Sequence, residues 1–147
     1  MFSEYDYTDY NEKSIVKVKL NKTINNDPEF YDFICRWLNL YDIQKDFTFI
    51  FNAEEVGYVP IKYSFKMALF IKSLKTRNRQ YLKKSIIIIK NKFARALLDL
   101  IFMIQSPVAP VYIIQDPNLV DNILNLDINQ NNLNEHNLNK QITIISP

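Results

Sequence analysis

The sequence predicts an α/β domain, a mixed, mostly parallel sheet of four to five strands packed by three to four helices. Two observations carry this. Short apolar, β-rich runs recur along the chain, FTFIF (47–51), SIIIIK (85–90) and VAPVYII (108–114), and segments with helical spacing of apolar residues lie between them. A β-α-β-α-β-α-β-α alternation implies parallel strands joined by helices that cover the sheet. The 147 residues suit one domain with a core of its own.

Residues 1–13, rich in Tyr and acidic, are expected to form a flexible leader. SIVKVKL (14–20) alternates Val16, Val18 and Leu20 against Lys17 and Lys19, a half-buried strand near a sheet edge. Asp27-Pro28-Glu29 is a helix start, with Asp27 as N-cap, and Phe30, Phe33, Ile34, Trp37, Leu38 and Tyr41 follow on one stripe. FTFIF is apolar on both faces, so central. Pro60 opens a helix expected to run to about Lys83, and SIIIIK is the next buried strand. A helix from Lys92 to Gln105 ends before Pro107, and Pro110 places the following strand near an edge. Asn118 to about Leu126 reads as a short helix, and residues 126–147 as an Asn-rich tail that could end in an edge strand. The domain proper spans 14–125.

Composition excludes several chemistries. The single glycine, Gly57, leaves no GxGxxG, Walker loop or nucleophile elbow. The single cysteine, Cys35, leaves no internal disulfide and points to a reducing compartment. The acidic N-terminus is unlike a signal peptide, and no apolar run is long enough to span a bilayer, so a soluble cytoplasmic protein is expected. His136, the only histidine, lies in the tail, which removes Ser-His and Cys-His arrangements and most metal sites. Glu54 and Glu55 are adjacent at a strand end, yet no base or metal-binding partner is recognisable beside them. The expectation is therefore a chain with no enzyme activity, no cofactor and no metal.

Charge is segregated. Between Pro60 and Leu98 lie eleven basic residues and no Asp or Glu, while the acids gather toward both ends. This favours an acidic partner surface. Tyr63, Met67, Phe70, Ile71 and Leu74 share the core face of their helix, whereas Phe65 and Leu69 point outward among Lys62, Lys66 and Lys72. On the next helix Phe93, Ala94, Ala96, Leu97, Leu100, Ile101 and Ile104 are expected to face the core, with Leu98 and Phe102 outward beside Arg95. These paired apolar residues in a basic surround make a candidate contact surface, unless the tail leucines cover it. The aromatic residues read as core, which argues against a nucleic-acid platform.

The stretches FTFIFNAEEVGYVPIKYSFKMALFIKSLK and YLKKSIIIIKNKFARALLDLIF resemble, in pattern and spacing, the STAS domain of bacterial anti-sigma factor antagonists. More closely, they resemble STAS-like proteins of large DNA viruses with AT-rich genomes, which would place the chain in host cytoplasm or a virion. The resemblance implies a mixed sheet backed by helices and a role as an interaction or switch module. The family's phosphoacceptor motif would fall at about Pro60, Ile61, Lys62 and Tyr63, none of which matches it; Ser64 is the nearest hydroxyl and the candidate phosphorylation site. The rhythm of the second half is also similar to a small CRAL-TRIO-like lipid-binding domain. The leading expectation is thus a non-enzymatic STAS-like module docking a protein, or a copy of itself, through Lys62, Phe65, Lys66, Leu69, Lys72, Arg95, Leu98 and Phe102. The alternative is binding of lipid or an anionic membrane surface, which a closed apolar cavity between sheet and helices would favour.

Overall fold

The computed structural model describes residues 1–127 and 141–147; the Asn-rich tail expected over 126–147 falls largely outside them. Among the described residues, a six-stranded mixed sheet runs in chain order, one strand more than the upper expectation. Strand β1 (Ser3–Asp6) pairs antiparallel with β2 (Ile15–Leu20), which begins a parallel run of β2, β3 (Phe47–Asn52), β4 (Leu82–Ile88) and β5 (Val111–Ile114). Strand β6 (Thr143–Ile145) closes the far edge, antiparallel to β5. The helices are α1 (Tyr10–Lys13), α2 (Asp27–Asp42), α3 (Lys62–Lys75), α4 (Lys92–Ile104) and α5 (Val120–Leu124).

Strand order equal to chain order has a consequence. Every parallel connection steps the same way, and right-handed crossovers then put α2, α3 and α4 on one face of the sheet. That face holds the larger core, with Phe47, Phe49 and Phe51 of β3 meeting Phe33 and Trp37 of α2 and Phe70 and Leu74 of α3. The rings pack edge to face: Trp37 lies 4.8 Å from Phe49 and 5.2 Å from Phe70, at interplanar angles of 71° and 80°. On the opposite face Ile50, Ile86, Ile88, Tyr112 and Ile114 are covered by Leu119 and Ile123 around α5. Lys84 ties α5 down, its buried Nζ donating to the Ile123 carbonyl at 3.0 Å.

The stretch expected as a flexible leader instead carries β1 and α1. Its aromatic residues are the reason: Phe2 and Tyr10 are buried, and the Tyr5 hydroxyl donates to the Phe33 carbonyl of α2 at 2.7 Å. Burial pushes the Tyr5 hydroxyl well above its ordinary pKa, with the neighbouring Tyr7 adding to the rise. Helix α2 is capped by Asn26, one residue before the expected Asp27; its Oδ1 accepts from the Glu29 amide at 3.1 Å, and Glu29 accepts from the Asn25 amide at 2.8 Å. Helix α3 stops at Lys75, short of the expected Lys83. Beyond Leu74 the segment KTRNRQ offers no apolar residue to the core, and the Gln80 side chain instead donates to the Leu74 carbonyl at 2.7 Å. Gln80 in turn accepts from the Tyr41 hydroxyl at 2.7 Å, and burial lifts Tyr41 to a pKa of about 12.

Candidate functional site

The feature that sets this molecule apart from a filled α/β sandwich is an apolar cavity of about 170 Å³ between the sheet and its helix layer. Strands contribute Phe51, Leu82, Ser85, Ile87 and Val111, Ile89 follows the end of β4, and α2 contributes Phe30, Phe33 and Trp37. Helix α3 lends Tyr63, Ser64, Met67 and Ile71; α4 lends Ala94, Leu97, Leu98, Ile101 and Phe102. No charged residue is in this lining. Its hydroxyls are largely engaged elsewhere: Tyr63 donates to Asp27 Oδ1 at 2.8 Å, and Ser64 to the Leu97 carbonyl at 3.3 Å. A space lined this way offers water few polar partners, which favours an apolar guest over ordered water.

Helix α4 explains why the cavity exists. Of its thirteen residues only Lys92, Arg95 and Asp99 are polar, yet Ala94 alone is buried. A helix apolar nearly all round is normally enclosed on all sides. Here it rests on the sheet through half-buried side chains and leaves space beneath. Its orientation also departs from expectation. The polar residues mark one side, and the opposite side would carry Phe93, Leu97, Leu100 and Ile104 inward. Instead the helix is rolled by roughly 60° about its axis, judged at 100° per residue. Leu98 and Phe102 turn toward the core and line the cavity, which corrects their assignment to an outward patch. Of the residues expected inward, Phe93, Ala96 and Ile104 are exposed, as is Met103.

The other candidate residues divide as follows. Phe65 and Leu69 are exposed on α3. Lys62 pairs with Asp27 at 3.3 Å. The Tyr63 hydroxyl and then the Lys62 ammonium hold the Asp27 carboxyl below the usual carboxylate range. Lys66 Nζ donates to the Tyr31 hydroxyl at 3.4 Å, and Lys72 is exposed without a carboxylate partner among the described residues. Arg95 pairs with Asp99 at 3.0 Å along α4, a surface contact worth a few tenths of a kcal/mol, about 0.3–0.5 for such helix pairs. Ser64 is buried against α4, so its reading as a phosphorylation site is corrected: a kinase could reach that hydroxyl only after α4 had left.

Glu54 and Glu55, the weighed carboxylates, are each joined to a lysine: Glu54 to Lys90 at 2.7 Å and Glu55 to Lys19 at 3.7 Å. His136 lies outside the described residues. Among the described residues no group of three His, Cys, Asp or Glu side chains is placed to hold a metal, and no helix is long and apolar enough to cross a membrane. The segment 117–127 packs on the far face of the sheet, so it does not cover Phe65 and Leu69. No protein-family model, curated protein or solved structure matches this chain.

The cavity was missed by sequence reasoning. Its signal was present in α4, where ten apolar residues in thirteen exceed what one buried stripe requires.

Proposed function

We propose that this chain is a non-enzymatic binder of an apolar ligand, held between the sheet and α4. The observation that carries the reading is the uncharged cavity beneath α4, a thirteen-residue, largely apolar helix that buries a single residue. Its volume, about 170 Å³, is close to the ~150 Å³ at which a dry apolar void accepts benzene or xenon. The fitting ligand is thus a single ring, a short alkyl chain or the end of a longer acyl chain, with α4 moving outward to admit anything larger. This supports the lipid-binding alternative over the STAS-like docking role.

A second reading keeps one observation of its own. Phe65 and Leu69 stay exposed on α3, as a surface for a protein partner would require. A STAS-like module without its phosphoserine switch remains the form that such docking would take.

The two readings separate in a titration. Trp37 is the only tryptophan and lines the cavity, so its fluorescence reports the interior alone. Benzene or a six-carbon alkane is expected to change that emission saturably and to raise the thermal midpoint, since a ligand bound only by the folded state stabilises it. Unchanged emission and midpoint up to the solubility limit of both probes would remove the cavity reading and leave protein docking.

A further inference from the structure

We propose that the outer surface of α3 and α4 docks on an anionic lipid bilayer, with α4 lying against the membrane. The inference goes beyond ligand binding in the cavity and stands on the opposite side of the same helix.

Helices α3 and α4 are neighbours in one layer. Ser64 of α3 donates to the Leu97 carbonyl of α4, and Lys75 of α3 reaches Ser106 just past the end of α4. Their outward sides therefore form one continuous surface. On it Leu69 is 66% exposed, Phe93 71% and Met103 81%, with Phe65 and Ile104 about half exposed. Large apolar side chains grouped on neighbouring helices, left in water by a helix rolled away from its own polar side, indicate a face that is covered in use.

Charge decides what covers it. Lys66, Lys72 and Lys75 on α3 and Lys92 at the start of α4 pair with no carboxylate among the described residues. Asp99, the acid on α4, is neutralised by Arg95. A second copy meeting this face about a two-fold axis would set like charges against each other, which disfavours self-association. An anionic bilayer accepts both features at once. Its headgroups attract lysines, each strengthening binding roughly fivefold near the surface. The interface below them takes Phe, Leu and Met side chains. In that pose the apolar guest of the cavity would pass between bilayer and protein under α4 without crossing water.

The test is co-sedimentation of the full chain with vesicles of phosphatidylcholine alone or with added phosphatidylserine, at low and high salt. Binding to the phosphatidylserine vesicles, weakened by salt, is expected. Leu69→Asp and Met103→Asp should each lower it about tenfold, the loss of one inserted apolar side chain. Lys72→Glu should lower it severalfold and reduce its salt dependence. All three positions are solvent-facing, so folding is retained, and circular dichroism verifies this. Absence of binding at low salt, or binding indifferent to all three substitutions, overturns the proposal. So does a concentration-dependent dimer that these substitutions dissociate, which would assign the face to a second copy. Benzene titration without vesicles keeps the two claims apart, since Leu69→Asp should leave it unchanged. Failed docking with intact benzene binding condemns the surface alone, and the reverse condemns the cavity alone.

Discussion

Phe49→Ala is expected to cost about 3–5 kcal/mol of unfolding free energy, whereas Leu98→Ala should cost less than about 2 kcal/mol. The difference rests on what each side chain touches. Phe49 is fully buried at the centre of the sheet, with Trp37, Phe47 and Phe51 rings 4.6–5.0 Å away. Removing it opens a new void in the best-packed part of the molecule and deletes several edge-to-face contacts. Leu98 is only half-buried and borders a space that already exists. It has fewer atoms against it, so its truncation forfeits less dispersion energy. Urea unfolding of both variants checks the contrast. Equal losses at the two positions would mean that α4 is seated as firmly as the central sheet.

Ala94→Phe should lower benzene affinity at least tenfold while leaving the unfolding midpoint unchanged or raised. Ala94 is the one buried residue of α4, and it lines the cavity. A phenyl ring placed there occupies most of the volume that a benzene guest would use. In a filled core the same substitution would overpack and cost about 1–3 kcal/mol. Filling a genuine void instead commonly adds stability, about 0.5–2 kcal/mol. The sign of the stability change therefore reports on the cavity independently of any ligand. Destabilisation together with undiminished benzene binding would contradict the proposal.

The sequence disclosed the frame well where one period dominates. The stripe from Phe30 to Tyr41 matches the buried side of α2 except at Leu38, which is half-buried while Leu40 is buried, and FTFIF is indeed an interior strand. Expectation failed where patterning was weak or doubled. Strand β1 has four residues, two of them acidic, so nothing periodic marks it; only Phe2 and the flanking tyrosines betray that it is packed. The end of α3 was legible in retrospect, because apolar spacing stops at Leu74, but a basic run following a helix is easily taken as its continuation. Residues 128–140, with the tail leucines and His136, lie outside what the structure describes.

The site was harder to see than the fold, for a physical reason. On α3 one face is apolar and the exposed pair Phe65 and Leu69 stands out against lysines. On α4 apolar residues occupy most of the circumference, so the sequence defines no single inward direction. The three polar residues favoured one orientation; packing over the strands selected another, turning Leu98 and Phe102 inward and Phe93 outward. A cavity arises from tertiary geometry of this kind and leaves only indirect traces in composition. Similarly, Ser64 looked accessible as a hydroxyl near a helix start, and only the neighbouring α4 makes it a buried donor to Leu97.

The most direct measurement is a crystal structure of the protein under xenon pressure. The proposal predicts a xenon atom beneath α4, in contact with side chains such as Ile87, Leu98 and Ile101, because a dry apolar void of this size takes xenon readily. A space beneath α4 that is closed by repacked side chains and takes up no xenon would contradict it, and the helix would then be an ordinary part of the core.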